Sequence, residues 1–114
     1  MRALIVDDHP SFRRCARTLL TEEGFEVVGE AETGTTALGL VAELDPELVL
    51  LDIQLPDLDG FAVAAQLTSV APSPTILLVS TRDATDYGSR LEASGAAFIA
   101  KADLSADRLL SLLP

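Results

Sequence analysis

Short apolar runs alternate along this chain with segments in which apolar residues recur every three or four positions. A run of four to six apolar residues is typical of a buried strand, and a three-to-four residue recurrence is typical of a helix with one face on a core. The five runs cover residues 3–6, 25–29, 48–51, 75–79 and 96–100. Their regular alternation with helical segments predicts an α/β domain of (βα)5 type.

Turn-forming and capping residues delimit the first two helices. Pro10 suits an early helical position, and Gly24 ends the first helix. Thr33 or Thr35 opens the second helix, which residues 45–46 (Asp-Pro) stop. These signals predict two helices that each pack one apolar face on a sheet.

The remaining helices are less regular. The third begins near residues 58–60 and gives way at 71–74 (Ala-Pro-Ser-Pro), and the fourth is expected over 84–94, where Gly88 interrupts it. Ser105 is the expected N-cap of a short, leucine-rich last helix. Two explanations of its outer leucines stay open: they meet a partner, or the helix continues in a longer protein.

The third and fourth runs are continuously apolar, as strands covered by helices on both faces require. The sheet is therefore expected to be parallel, five-stranded and doubly wound, because right-handed crossovers place helices on both faces. We take the strand order 2-1-3-4-5 from the flavodoxin-like members of this fold class. Strands 1 and 3 are then neighbours, and ligands bind beyond their carboxyl ends.

Polar residues whose side chains can take part in chemistry follow four of the five runs. Asp7 and Asp8 close the first, Asp52 the third, Ser80 the fourth and Lys101 the fifth. Because the carboxyl ends of parallel strands share one edge of the sheet, these side chains are expected to form one site.

Three crowded carboxylates repel one another by about 1 to 4 kcal/mol per close pair at an effective dielectric between water and ~20. An all-oxygen set favours a hard divalent ion, with Mg²⁺ as the expected cofactor. Asp8 is the expected direct ligand and Asp7 a ligand through water. Asp52 and the backbone carbonyl of Gln54 complete the predicted set.

The space between this metal and Lys101 suits a dianionic phosphoryl group. A carboxylate there can act as a nucleophile and form an aspartyl phosphate. Asp52 is the best candidate because its strand is central, and Ser80 is placed to donate its hydroxyl to a phosphoryl oxygen.

Each of these residues also has a simpler explanation. Asp7 or Asp8 can cap the first helix, Ser80 can satisfy a turn, and Lys101 can be a solvated charge at a strand end. The joint placement at four strand ends favours the shared site. The chain has no P-loop motif, and Gln54 stands where Asp-x-Asp phosphatases have their second aspartate.

The composition limits the partners. Eighteen acidic residues against eight Lys and Arg give a net charge of −10 over 114 residues, which argues against direct binding of nucleic acid. No apolar run approaches the length of a membrane span, so a cytoplasmic domain is expected. The single histidine, His9, gives little support to metal ligation through histidine, and the single cysteine, Cys15, is interpreted as a packing residue.

The polar strand ends, together with the segment Asp52-Ile-Gln-Leu-Pro-Asp-Leu-Asp-Gly60, resemble the receiver domain of bacterial two-component response regulators over the whole of residues 1–114. The resemblance implies that Asp52 accepts a phosphoryl group from a sensor histidine kinase, with Mg²⁺ required. It also implies that Asp7 and Asp8 hold the metal and that Lys101 contacts the phosphoryl group. Such a domain catalyses only its own phosphorylation and dephosphorylation.

The same resemblance implies a switch formed by Ser80 and Phe98, which alters the face made by helix 4, strand 5 and helix 5. The alternative for Phe98 is a buried strand aromatic with no switching role. Gln54 and Arg82, each two residues past a site residue, are predicted to tune the lifetime of the phosphorylated state.

Two segments narrow the resemblance. Residues 7–13 (Asp-Asp-His-Pro-Ser-Phe-Arg) and 101–105 (Lys-Ala-Asp-Leu-Ser) are similar to regulators that carry a C-terminal helix-turn-helix domain of the LuxR type. This similarity implies a transcriptional output through a domain outside these residues. The alternative function is an atypical receiver that works without phosphorylation as a dimerisation module.

Overall fold

A computed structural model describes residues 1–69 and 72–113 as one five-stranded sheet with helices on both faces. The strands are β1 (Arg2–Val6), β2 (Glu26–Ala31), β3 (Leu48–Asp52), β4 (Thr75–Ser80) and β5 (Ala97–Ala100). The helices are α1 (Pro10–Glu22), α2 (Gly34–Leu44), α3 (Gly60–Thr68), α4 (Ser89–Ser94) and α5 (Ala106–Leu112). Short 3-10 turns precede α4 (Ala84–Asp86) and follow β5 (Lys101–Asp103).

The sheet has the predicted order β2-β1-β3-β4-β5, with every strand pair parallel. The register aligns the carboxyl ends: Val6 lies opposite Leu51, and Ser80 lies opposite Ala100. The expected doubly wound α/β fold is therefore confirmed. The residues that follow β1, β3 and β5 emerge at one edge.

Two hydrophobic cores lie on the two faces of the sheet. One contains residues of α2 and α3 with Leu91 of α4 packed against it, and the other contains residues of α1 and α5. All five residues of β3 are buried, as its continuous apolar sequence predicts. Burying one such leucine or valine contributes about 1.5 to 3 kcal/mol, so this central strand is the firmest support for a side chain at its end.

The predicted caps of α2 and α5 are confirmed, with one alternative decided. The Thr33 hydroxyl accepts the Thr36 N–H at 3.1 Å, so Thr33 and not Thr35 opens α2. Ser105 caps α5 by accepting the Arg108 N–H at 3.2 Å. At the other end of α2, Asp45 adopts the left-handed conformation, with φ 49°.

The fourth helical segment differs from its prediction as one helix over 84–94. It is divided into a 3-10 turn and the six-residue α4, with Gly88 between them at φ 55° and ψ −131°. Glycine reaches this region of backbone space without a steric cost, and the break that it allows separates the two pieces. The predicted end of α3 is Ala71, which lies outside the described residues.

Cys15 is exposed on α1, so its interpretation as a packing residue was wrong. The inward face of this helix is formed by Ala16 and Leu20, with Phe12 and Leu19 partly buried beside them. Position 15 falls outside that stripe because one residue advances the helix by about 100°. Within residues 1–69 and 72–113, no helix has the length and apolar character that a membrane crossing needs.

Candidate functional site

Three carboxylates meet beyond the ends of β1 and β3, and we call them the acidic cluster: Asp7, Asp8 and Asp52. Asp7 is completely buried and Asp52 is 2% exposed, whereas the Asp8 side chain is 37% exposed. Ligand atoms of these three residues and of His9 all lie within 4.8 Å of one another. The sheet register thus brings together the acids that the strand ends predicted.

Asp7 is held by the backbone that follows it. Its Oδ1 accepts the N–H of His9 at 2.9 Å, which turns the chain into α1. Its Oδ2 is buried without a hydrogen-bond partner. The N-cap of α1 is His9, so the alternative that Asp7 or Asp8 caps this helix is not what the structure has.

Lys101 lies between the two buried acids. Its Nζ is 2.6 Å from Asp7 Oδ2 and 3.3 Å from Asp52 Oδ2, and the first contact is an ion pair without hydrogen-bond alignment. The side chain is 10% exposed, which excludes the alternative of a solvated strand-end charge. The ring of Phe12 on α1 covers the ammonium group, with Nζ 4.5 Å from the ring centroid. A cation over an aromatic face is attracted by its quadrupole.

The environment of Asp52 raises the pKa of its carboxyl group. Burial is the main cause, and the negative charge of Asp7 adds to it. The Gln54 N–H, which donates to Asp52 Oδ1 at 3.1 Å, and the ammonium of Lys101 act in the opposite direction. The net effect is a pKa above the ordinary value of an aspartate, as burial and like charges predict.

The loop after Asp52 passes so close to α3 that only glycine fits at position 60. The Gly60 N–H donates to the Ile53 carbonyl at 2.8 Å. A Cβ on Gly60 would lie 2.5 Å from the Asp52 carbonyl oxygen and 2.5 Å from the Ile53 Cα. The glycine of the Asp52-to-Gly60 segment therefore holds the backbone beside the central carboxylate.

Asp57 in the same loop is a structural residue that the sequence did not single out. Its carboxylate accepts the N–H groups of Gly34 at 2.8 Å and Thr35 at 3.0 Å, and the Thr35 hydroxyl at 2.7 Å. These hydrogen bonds hold the pKa of Asp57 well below its usual range, with the Thr35 N–H as the largest cause. A carboxylate is stabilised at a helix N-terminus, so Asp57 ties the β3–α3 loop to the start of α2.

Ser80 has a hydroxyl partner that the sequence did not identify. Its Oγ lies 2.5 Å from the Tyr87 hydroxyl and accepts the Arg82 N–H at 3.1 Å. The simpler explanation for Ser80, satisfying a turn, therefore describes part of its role. Tyr87 lies between the 3-10 turn and Gly88. Because the predicted helix is divided there, helical periodicity did not indicate that Tyr87 faces Ser80.

Phe98 contacts the ring of Tyr87. The two rings meet edge to face with centroids 6.1 Å apart, and the ring of Phe61 also meets Tyr87 edge to face, with centroids 5.6 Å apart. Phe98 is partly buried and packs against the core on the α2–α3 face. Ser80 and Phe98 are thus connected through the Tyr87 ring.

Gln54 and Arg82 are both exposed and line one cleft of about 440 Å³ beside the acidic cluster. Tyr87 and Arg90 line it too. Arg90 pairs with Asp59 at 2.5 Å. Gln54 and Arg82, the two residues predicted to act on the lifetime of a phosphorylated state, therefore line the same cleft.

The donor set fits a divalent cation. Three carboxylates surround one volume, and the buried Oδ2 of Asp7 lacks a hydrogen bond. Oxygen donors of this kind are the ligands that Mg²⁺ prefers. One feature differs from the sequence prediction: His9, which had little support as a ligand, points Nδ1 at the cluster, 3.0 Å from Asp7 Oδ1 and 3.2 Å from Asp8 Oδ1.

Comparison with known proteins agrees with this geometry. BvgA of Bordetella pertussis, named as a positive transcription regulator of virulence factors, is 41% identical over 101 residues, covering 88% of this chain and 48% of BvgA. A protein-glutamate methylesterase/protein-glutamine glutaminase of Alkalilimnicola ehrlichii is 38% identical, covering 94% of this chain and 29% of that protein. The chain therefore spans half or less of these relatives.

Solved structures show the same fold. The signal receiver domain of NarL from Mycobacterium tuberculosis superposes with a TM-score of 0.84 at 34% identity, covering 96% of this chain and 93% of that one. A LuxR-family two-component response regulator from Aurantimonas sp. SI85-9A1 also has a TM-score of 0.84, at 26% identity, covering 96% and 79%. The family model for the response regulator receiver domain matches residues 3–113. The chain belongs to the response regulator receiver domain family of two-component systems.

Proposed function

We propose that this domain is a phosphorylation-controlled switch whose phosphoacceptor is Asp52. The observation that carries the proposal is the arrangement around that carboxylate: it ends the central strand, Lys101 Nζ lies 3.3 Å from Oδ2, and Asp7 and Asp8 lie beside it. A nucleophile, a cation for the phosphoryl oxygens and acids for a metal are the groups that phosphoryl transfer to a carboxylate requires.

In the proposed reaction a carboxylate oxygen of Asp52 attacks the phosphorus of a phosphohistidine on a sensor kinase. The O–P bond forms while the P–N bond breaks, and the bonding pair returns to the imidazole nitrogen of the kinase. Lys101 leaves its ion pair with Asp52 and pairs with a phosphoryl oxygen. Asp7, Asp8, Asp52 and the Gln54 carbonyl would hold Mg²⁺, which offsets the negative charge of the phosphoryl group when bound.

The proposed response to phosphorylation begins at Ser80. The Ser80 hydroxyl has one proton, so turning it toward a phosphoryl oxygen ends any hydrogen bond that it donates to the Tyr87 hydroxyl, which lies 2.5 Å away. Movement of Tyr87 would change its edge contact with Phe98. Tyr87 lies just before α4 and Phe98 lies on β5, so the change would reach the face made by α4, β5 and α5 that is expected to report the switch.

The proposed output is transcriptional. It is supported by the similarity of the chain to BvgA and to a LuxR-family regulator, together with a net charge of −10, which leaves DNA binding to a helix-turn-helix domain elsewhere in a full-length protein. The chain is also similar to a methylesterase, which has a different class of output. The receiver fold alone therefore does not decide between a transcriptional and an enzymatic output.

The test uses Mg²⁺ with acetyl phosphate as a small-molecule phosphodonor, and beryllofluoride as a stable mimic. Intact mass should rise by one phosphoryl group in the wild type and not in Asp52→Asn. Beryllofluoride should shift the NMR signals of Ser80, Tyr87 and Phe98. Absence of both the adduct and the shifts would contradict the proposal.

One observation favours a second function. Leu110 on α5 is 48% exposed, a large apolar side chain that a dimer interface would cover. A receiver that dimerises through α5 without phosphorylation would show the same molar mass by light scattering before and after beryllofluoride, and Leu110→Gln would make it monomeric. A mass that doubles only with beryllofluoride would favour the switch.

A further inference from the structure

Phe12 covers the ammonium group of Lys101, which is the only lysine in the chain. The polar neighbours of Nζ are Asp7 Oδ2 at 2.6 Å, Asp52 Oδ2 at 3.3 Å and His9 Nδ1 at 3.4 Å. The ring of Phe12 adds an aromatic face, with Nζ 4.5 Å from its centroid. A cation at such a distance is attracted by the negative face of the ring. The ammonium therefore has an aromatic contact besides its two carboxylates.

The position of Phe12 on α1 brings its ring to this place. Phe12 is the third residue of α1 and opens the inward face of this helix, which continues with Ala16 and Leu20. It is partly buried against the core on the α1–α5 side of the sheet. Packing on that core requires an apolar residue but not an aromatic one. The aromatic face is what the ammonium contacts.

This contact matters because a lysine side chain is flexible. Four rotatable bonds separate Nζ from the backbone, so holding the ammonium in one position costs conformational entropy. Lys101 is nevertheless only 10% exposed. In the proposed reaction Lys101 leaves its ion pair with Asp52 and pairs with a phosphoryl oxygen. The contact with Phe12 does not involve Asp52, so the ring can hold the ammonium while its anionic partner changes.

We propose that Phe12 is a positioning residue for phosphoryl transfer: its ring holds the Lys101 ammonium beside Asp52 by cation–π attraction and so raises the rate at which Asp52 is phosphorylated. A cation that is already in place lowers the cost of stabilising the charge on the phosphoryl oxygens. The inference rests on the proposed function, in which Lys101 contacts the phosphoryl group. It assigns a role to the aromatic character of Phe12 and not only to its apolar volume.

The first experiment observes the contact itself. Lysine labelled with ¹³C at Cε gives one signal, because the chain has one lysine. Protons above an aromatic ring resonate upfield, so the Lys101 Hε signal should lie upfield in the wild type and return toward its ordinary position in Phe12→Leu. Phe25→Leu is the matched control, since Phe25 is buried in the same core but precedes β2 at the end of the sheet away from the acidic cluster. It should leave the signal unmoved. A wild-type signal at the ordinary position, or one unchanged in Phe12→Leu, would overturn the inference.

The second experiment measures the rate of phosphorylation by acetyl phosphate with Mg²⁺, followed by intact mass. We expect Phe12→Leu to react about three- to tenfold more slowly than wild type, and Phe12→Tyr, which keeps the aromatic face, to react within about twofold of it. A trifluorinated phenylalanine at position 12 keeps the shape of the ring but weakens its negative face, so this variant should also be slowed. Phe25→Leu should react at the wild-type rate.

These variants separate the inference from the proposed function. If wild type is phosphorylated and Phe12→Leu reacts equally fast, the inference fails and the proposed function stands. If Phe12→Leu is slowed and the trifluorinated variant is not, Phe12 acts through its shape and the cation–π role is overturned. An equal loss of rate in Phe25→Leu would assign the effect to the core and overturn the role as well. If wild type is not phosphorylated, both fail.

Discussion

Replacing Asp52 by Asn should stabilise the metal-free protein, because the structure buries this carboxylate beside two others. Asp52 lies within 4.8 Å of Asp7 and Asp8, and each repulsion at that distance is about 3.5 kcal/mol at an effective dielectric of ~20. The attraction to Lys101 at 3.3 Å is about 5 kcal/mol on the same scale. The repulsions exceed the attraction by about 2 kcal/mol, and burial adds to the cost of the charge.

The asparagine retains one favourable contact of the aspartate. Its side-chain oxygen can still accept the Gln54 N–H, which donates to Asp52 Oδ1 at 3.1 Å. We therefore expect the free energy of unfolding at pH 7 in EDTA to rise by about 1 to 2 kcal/mol in Asp52→Asn. Urea denaturation followed by far-UV circular dichroism measures this difference, provided that the slope with urea is unchanged.

Mg²⁺ and pH give two further checks of the same reasoning. Binding of Mg²⁺ at the proposed site would stabilise the folded wild type by mass action, so the stability advantage of Asp52→Asn should shrink as Mg²⁺ is added. The pKa of Asp52 is raised in the folded state above 3.8, the ordinary value of an aspartate. The folded protein then ionises this group later than the unfolded chain. The stability difference should be absent below pH 3.8, grow through the raised pKa and stay level above it.

Two results would refute this account. A less stable Asp52→Asn in EDTA at pH 7 would mean that the Lys101 ion pair outweighs both the repulsion and the burial. A stability difference that stays constant from pH 3 to 7 would mean that the charge of Asp52 is not its source. Asp107→Asn, an exposed acid in the first turn of α5, is the control and should not stabilise the protein.

Four other predictions follow from particular contacts. Gly60→Ala should lower the free energy of unfolding by about 1 to 3 kcal/mol, since its Cβ meets backbone atoms, and urea denaturation measures the loss. Asp57→Asn should speed amide exchange at the start of α2, and because the pKa of Asp57 is lowered, the difference from wild type should fade as pH falls through 3.8 and below. Tyr87→Phe should cost about 1 kcal/mol of stability in urea and uncouple the β5 NMR signals from beryllofluoride. Exchanging Gln54 and Arg82 for Ala should change the dephosphorylation rate measured after acetyl phosphate is removed.

Each of these predictions has a result that contradicts it. Wild-type stability in Gly60→Ala would mean that the loop can move away without cost. Unchanged amide exchange in Asp57→Asn would remove its role as an anchor of α2. An unaltered response of the β5 NMR signals to beryllofluoride in Tyr87→Phe would show that Ser80 is coupled to β5 through other residues. An unchanged dephosphorylation rate in the Gln54 and Arg82 double variant would contradict their predicted effect on the lifetime of the phosphorylated state.

The fold was predictable because its signals are local. The continuous apolar sequence of β3 predicts a strand buried on both faces, Ser105 is the predicted cap of α5, and Thr33 is one of the two predicted candidates for the cap of α2. The fourth helix was the exception: Gly88 allowed a break that splits it, and periodicity does not show where such a break falls. The interpretation of Cys15 as a packing residue was wrong for a simple geometric reason. A residue one position from an inward-facing one is turned about 100° away from the core.

The sequence by itself determined which residues stand at the ends of the strands, because strand ends are marked by the change from apolar to polar side chains. It therefore identified the acidic cluster, Ser80 and Lys101 as one group. Only the tertiary structure decided how close they are and what surrounds them. The Asp7–Lys101 ion pair, the position of Tyr87 between Ser80 and Phe98, and the His9 ring beside the acids depend on how separate segments pack. Such contacts depend on strand order, register and loop path, which act over distances in sequence that no local pattern records.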